Sequence, residues 1–299
     1  MTKLVECVPN FSVGRDESVL EALAAAAGSV PGATLLSHSG DPSHNRSVYT
    51  LVGGPEAMAE AAFLMCRVAR DKIDLTSHAG AHPRMGAADV VPFIPLMETT
   101  MGECVELSKQ VARRIWEELG IPTYLYEESA SSPGRRNLAE IRRGQFEGMP
   151  AKMLLPEWAP DFGDKKVHPT AGVTAVGARP PLIAFNINLG TADLGVAKTI
   201  AKAVRAAAGG YACCKALGVM LEERGVAQVS INFVDYRKTP IHRVFETVRA
   251  EAARYGVNII GSELVGLAPA KALVDCAEYF LRLEDFDFQK QVLENHLIK

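Results

Sequence analysis

Apolar residues recur along this chain in two rhythms, and each rhythm marks a different kind of element. Short β-rich runs at residues 4–9, 34–37, 46–52, 90–94 and 123–126 read as strands. Between them, apolar positions three and four apart mark helices. One is capped by Asp16 and runs through Val19, Leu20 and Leu23 to about Ala27; a second covers 56–73; a third covers 101–119, with Gly120 as its natural stop. Polar turns are expected at 10–14 and 38–45, and a short helix at 138–141. From 149 to 181 the rhythm is lost, and Pro150, Pro156, Pro160, Pro169, Pro180 and Pro181 punctuate a stretch that reads as a functional loop or a domain joint. Beyond it the order resumes: strand 182–188, helix 194–207, strands 217–221 and 227–233, helix 241–255, strand 257–262 and helix 269–283.

Both halves therefore read β-α-β-β-α-β, the ferredoxin-like order. The economical expectation is an α+β protein of two ferredoxin-like subdomains, 1–178 and 179–299. Helices would cover one face of each sheet and leave the other faces free to meet in a cleft.

Composition narrows the function without naming it. Hydrophobic residues make up 48% and charged residues 22% of the 299 positions, the balance of a soluble protein with a substantial core. The net charge of -3 argues against a nucleic-acid footprint. No apolar run is long enough to span a bilayer, and the first residues lack the apolar core of a signal peptide. Cys7, Cys66, Cys104, Cys213, Cys214 and Cys276 form neither a CxxC pair nor a disulfide framework. A cytoplasmic protein with reduced thiols is expected.

The densest chemistry lies between Ser77 and Pro95. His78, His82, Arg84 and Asp89 fall within a dozen residues, directly ahead of the apolar run 90–94. Histidines four apart suggest zinc on a helix, but Gly80 between them and Pro83 after the second argue against a helix, and no glutamate adjoins the first. No metal is expected. A loop that carries a titratable histidine to the end of a buried strand fits better. A lone histidine usually packs a turn; the clustering of four ionisable groups is what gives this loop a claim to chemistry.

Several segments, in order along the chain, resemble the glutamate formimidoyltransferase family. They are Leu4-Val5-Glu6-Cys7-Val8-Pro9-Asn10-Phe11-Ser12, Asn45-Arg46-Ser47-Val48-Tyr49-Thr50, His82-Pro83-Arg84-Met85-Gly86-Ala87 and the run from Asp89 to Pro95. Trp158-Ala159-Pro160-Asp161-Phe162-Gly163, Gly177-Ala178-Arg179, Ile183-Ala184-Phe185-Asn186-Ile187-Asn188-Leu189 and Leu264-Val265-Gly266-Leu267 continue the set. The resemblance implies two subdomains enclosing a tetrahydrofolate cleft. It implies transfer of the formimino group from N-formimino-L-glutamate to N5 of tetrahydrofolate, a step of histidine degradation, by a homodimer that needs no metal. In animals this module is fused to a cyclodeaminase; with the sequence stopping at Lys299, the transferase alone is expected here.

The same resemblance implies site residues. His82 falls at the family's catalytic histidine, able to take a proton from N5 and return it to the leaving nitrogen; His78 is secondary. The folate-binding segment maps to Gly163, Asp164, Lys165, Lys166, Val167, His168, Pro169, Thr170, Ala171 and Gly172. Its glycine ends and Pro169 keep the family pattern, while the interior departs from it, and Lys165-Lys166 could attract the glutamate tail of folate. The two carboxylates of formiminoglutamate call for arginine forks, for which Arg46, Arg84 and Arg179 are candidates. Family members often carry acids where this chain has Ser37 and Ser39, so Asp41 or Asp89 is expected to orient the histidine instead. Two other functions stay open: N-formyl transfer between 5-formyltetrahydrofolate and glutamate on the same site, and folate binding without catalysis.

Overall fold

In a computed structural model describing residues 3–296, the chain forms two compact units that divide between Arg179 and Pro180. The first contains β1 (Lys3–Cys7), β2 (Asn10–Phe11), α1 (Glu17–Gly28), β3 (Ala33–Asp41), β4 (Arg46–Gly53), α2 (Pro55–Lys72) and β5 (Ala88–Met97). It continues with α3 (Met101–Leu119), β6 (Thr123–Glu127), α4 (Leu138–Arg142), α5 (Gln145–Lys152) and β7 (Thr174–Ala178).

Local chemistry sets the helix ends. The Asp16 carboxylate accepts the amides of Ser18 at 3.0 Å and Val19 at 3.3 Å, which opens α1. At α3 the Thr100 hydroxyl accepts the Glu103 amide while the Glu103 carboxylate accepts the Thr100 amide, and Gly120 closes the helix with φ +70°.

The seven strands of this unit make one mixed sheet. β1 and β2 are a single strand interrupted at Val8-Pro9, running antiparallel between β4 and β5. Pro9 has no N–H for a ladder, but its carbonyl accepts the Tyr49 amide at 3.1 Å. β7 lies between β5 and β6 and runs parallel to both. Residues of α1, α2 and α3, among them Leu23, Met58, Met65 and Ile115, pack with Val5, Phe11, Leu51 and Phe93 of the sheet. A separate cluster joins Val90, Tyr124, Tyr126 and Ala175 to Ile141, Met149 and Met153 of the α4–α5 region.

Three departures from the sequence reading bear on the site. The first half of the expected loop at 38–45 is strand, because β3 runs on to Asp41 and pairs with β4 in the register Asp41 to Arg46 and Ser39 to Val48, and the turn is confined to 42–45. The irregular stretch from 149 hides β7, whose Thr-Ala-Val-Gly-Ala sequence is too short and too small in side chain to show a period. This sheet thus has seven strands where a bare β-α-β-β-α-β order has four.

The second unit contains β8 (Ile183–Leu189), α6 (Leu194–Val204), β9 (Cys214–Leu221), β10 (Val226–Phe233), α7 (Ile241–Ala253) and β11 (Ile259–Val265), followed by α8 (Ala270–Leu281) and α9 (Phe288–Gln291). Its four strands lie in the order β11-β8-β10-β9, every neighbour antiparallel. Ile187, Leu189, Val229 and Phe233 of the sheet pack with Ile200, Val204, Val244 and Val248 of the helices.

Candidate active site around His82

The hairpin turn between β3 and β4 and the loop ahead of β5 are laced together. Asn45, in the left-handed region at φ +49°, accepts the Gly14 amide on Oδ1 at 2.9 Å and donates from Nδ2 to the Ala79 carbonyl at 3.2 Å. Ala81 donates its amide to the Ser43 carbonyl at 3.2 Å. Gly80 presses so closely on the turn that a Cβ there would lie 2.3 Å from the His44 carbonyl oxygen. His78 bridges both segments. Its Nε2 stands 2.9 Å from the Asn45 carbonyl and therefore carries the proton, leaving Nδ1 to accept from Arg84 Nε at 3.3 Å.

That lacing delivers His82 to a cavity of about 240 Å³ lined by Ser39, Asp41, His44, Arg46, Val48 and His82. Nε2 of His82 is buried without a hydrogen-bond partner, and so are Nε of Arg46 and Nε of Arg142. Burial pushes His82 down to about 3, and the positive charges of Arg46 and Arg142 push in the same direction. At neutral pH the ring is uncharged and keeps a lone pair for a proton. Arg46 is held by Asn10, whose side-chain oxygen accepts from its Nη2. Arg142 donates to Asp89 Oδ2 at 2.5 Å, and Oδ1 of the same carboxylate accepts the Met85 amide at 2.8 Å. Buried polar groups are normally paired, so two unpaired guanidinium donors and one unpaired imidazole nitrogen point to a polar ligand that can accept from the first and donate to the second.

The other expected residues take different places. Arg84 is not free to clamp a substrate: Glu147 grips it at 2.6 and 2.8 Å and Gln145 at 3.2 Å, which ties α5 to the histidine loop. Arg179 neighbours Glu6 and Tyr126, and its amide bonds Phe93, well along β5 from the Asp89 end. Neither acid expected to orient His82 does so. Asp89 serves Met85 and Arg142, while Asp41 accepts His44 Nδ1 at 2.7 Å and the His44 amide at 2.9 Å.

The segment from Gly163 to Gly172 turns at glycines with φ of +116° and +71°. Its charged residues Asp164, Lys165 and Lys166 are exposed, and His168 Nδ1 accepts the Ala171 amide at 3.0 Å. Its far end joins the histidine loop directly: Leu75 donates to Thr170 at 2.9 Å, Ala87 to Ala171 at 2.9 Å and Val173 to Met85 at 3.0 Å. Arg142, Glu147 and His44 were missed in the sequence. The two helical residues carry no motif, whereas His44 directly precedes the segment from Asn45 to Thr50, and that adjacency to the segment carrying Arg46 was the signal for it. Among the described residues no group of three or more His, Cys, Asp or Glu side chains is arranged to hold a metal ion, and no helix is long and apolar enough to cross a membrane.

A neutral, half-buried imidazole in the field of two guanidinium groups suits a group-transfer enzyme that handles an anionic substrate. Comparison with known proteins narrows that class. The pattern of the formiminotransferase domain, N-terminal subdomain, matches residues 4–179, and that of the formiminotransferase domain matches 184–299, so the chain belongs to the formiminotransferase family. A protein of Streptococcus pyogenes serotype M1 named glutamate formimidoyltransferase is 60% identical over 298 residues, covering 100% of both chains. A protein of that name from Thermoplasma acidophilum is 46% identical, covering 99% of this chain and 98% of its own. The formimidoyltransferase-cyclodeaminase of Gallus gallus is 45% identical over 100% of this chain, which matches 56% of that longer protein.

Proposed function

We propose that this chain transfers the formimino group of N-formimino-L-glutamate to N5 of tetrahydrofolate, releasing glutamate and 5-formiminotetrahydrofolate. The observation that carries the reading is the unpaired, buried Nε2 of His82 on a small cavity that Arg46 also lines, with unpaired nitrogens on Arg46 and on Arg142, whose charge is felt at His82. Relatives that match the chain from end to end bear the name of this activity.

The chemistry needs one bond made and one broken at a single carbon. N5 attacks the amidine carbon, and a neutral His82 takes the proton that N5 must lose. Arg46 and Arg142 hold a carboxylate of formiminoglutamate. That carboxylate offsets the two charges that depress His82, so the ring becomes a stronger base when substrate is in place. The cavity of about 240 Å³ lies below the roughly 300 Å³ at which sites begin to enclose a drug-sized ligand, so it takes the reacting end only. The rest of folate lies along residues 163–172, with Lys165 and Lys166 near its glutamate tail.

The same proposal includes two ferredoxin-like subdomains with a folate cleft between them, a cytoplasmic homodimer and a place in histidine breakdown. The strand order of the second unit supports the ferredoxin-like part; in the first unit β1-α1-β3-β4-α2-β5 follows that order, with β7 and β6 added.

The test is a spectrophotometric assay with tetrahydrofolate plus formiminoglutamate, beside 5-formyltetrahydrofolate plus glutamate. Product from the first pair is expected. Product from the second pair alone would reassign the chain to formyl transfer, because the two groups differ only by oxygen in place of nitrogen. Folate binding without turnover of either pair would make it a binding protein.

A further inference from the structure

The proposed reaction moves two protons in opposite senses, off N5 and onto the departing glutamate nitrogen, and the cavity is lined by two imidazoles. The ring centroids of His44 and His82 are 6.4 Å apart. Both rings face the same cavity, so each reaches a different side of a one-carbon group within it at the usual hydrogen-bond distance of about 3 Å. Their surroundings are opposite. His82 is half-buried and feels the charges of Arg46 and Arg142. His44 is 52% exposed in its side chain, and its Nδ1 lies 2.7 Å from the Asp41 carboxylate, which also accepts the His44 amide at 2.9 Å. A carboxylate on Nδ1 keeps a proton there and fixes the ring, so Nε2 is the nitrogen left to meet a group in the cavity.

We propose that His44 is a second catalytic residue, the proton donor to the leaving nitrogen, with Asp41 as its positioning residue. The inference rests on the formimino-transfer reading and divides its proton traffic between two histidines. In the first step the N5–carbon bond forms, the C=N pair of the amidinium moves onto the terminal nitrogen, and the N5 proton passes to His82 Nε2. In the second, the terminal nitrogen's lone pair re-forms C=N, and the carbon–nitrogen bond to glutamate breaks with its pair on nitrogen. That nitrogen takes the proton of His44 Nε2. Afterwards His82 gives its proton to water and the exposed His44 regains one, so the cycle neither consumes nor yields protons.

The experiment compares kcat and KM of wild type, His44→Ala, His44→Gln, Asp41→Asn and His82→Ala with formiminoglutamate and tetrahydrofolate, with and without added imidazole. Removing a general acid is expected to lower kcat of His44→Ala and His44→Gln by roughly 100-fold. KM should move less than threefold, and imidazole should restore His44→Ala, because its site opens to solvent. Asp41→Asn should lose less and respond little to imidazole. A His44→Gln enzyme with wild-type kcat would overturn the proposal, since glutamine can keep the hydrogen bond to Asp41 but carries no transferable proton. So would a His44→Ala that loses only thermal stability, as expected if the pair merely staples the hairpin turn. A wild type that turns over no formiminoglutamate overturns the reaction itself, and this division with it. An active His82→Ala removes His82 alone and leaves the His44 variants to decide.

Discussion

At the scale of single residues, His82 is the group whose environment most changes its chemistry. Burial and the charges of Arg46 and Arg142 hold it near 3, whereas in the unfolded chain it titrates near the ordinary ~6.5. Between those values the unfolded chain binds the extra proton, so folding stability falls as the pH drops from about 6.5 toward 3. Wild type is therefore expected to lose stability between pH 7 and pH 5 in urea unfolding, and His82→Gln to lose less over the same interval. Equal losses in the two proteins would show that the ring is not held neutral by its surroundings. Arg84 illustrates the opposite limit. It looked like a substrate fork because of the motif it occupies, yet its donors are filled by Glu147, Gln145 and His78.

At the scale of elements, close main-chain approach decides what the strands tolerate. A Cβ on Gly86 would lie 2.1 Å from the Val173 carbonyl oxygen, with backbone rather than a flexible side chain in the way. Gly86→Ala is expected to cost at least about 2 kcal/mol and to reduce turnover as well, because the shift moves the loop that carries His82. Thr100→Ala is the matching control. It removes one half of a capping box far along the chain from His82 and should cost about 1 kcal/mol with kcat unchanged. Chemical denaturation and steady-state rates on both variants check the pair. The helices behind these arguments were legible in the sequence, since Asp16, Thr100, Gly120 and the apolar spacing act locally. β7 was not, because Thr174, Ala175, Val176, Gly177 and Ala178 are strand only by virtue of β5 and β6 on either side. The extension of β3 to Asp41 was hidden in the same way: its polar residues are strand because β4 pairs with them. In the site, His82 and Arg46 were legible from motifs. The Asp41–His44 pair and the Arg142–Asp89 bridge depend on register and on α4, which no local pattern carries.

At the scale of the whole molecule, the net charge of -3 offers no general attraction for an anionic substrate, so any capture of folate's tail must be local. Lys165 and Lys166 stand exposed on the segment proposed to hold folate. Reversing both, Lys165→Glu with Lys166→Glu, is expected to raise KM for a polyglutamylated folate about fivefold at low salt, by far less for the monoglutamate, and by little at high ionic strength. An equal rise for both folates would move the tail elsewhere. The stitching of this segment to the histidine loop has a further consequence, in the language of local opening. Three main-chain bonds, Leu75 to Thr170, Ala87 to Ala171 and Val173 to Met85, belong to both loops, so neither can unfasten without the other. The amides of Leu75, Ala87 and Val173 should exchange with deuterium at one common rate, and folate alone, with no formiminoglutamate present, should slow all three together. The pocket for the second substrate would then be stiffened by the arrival of the first.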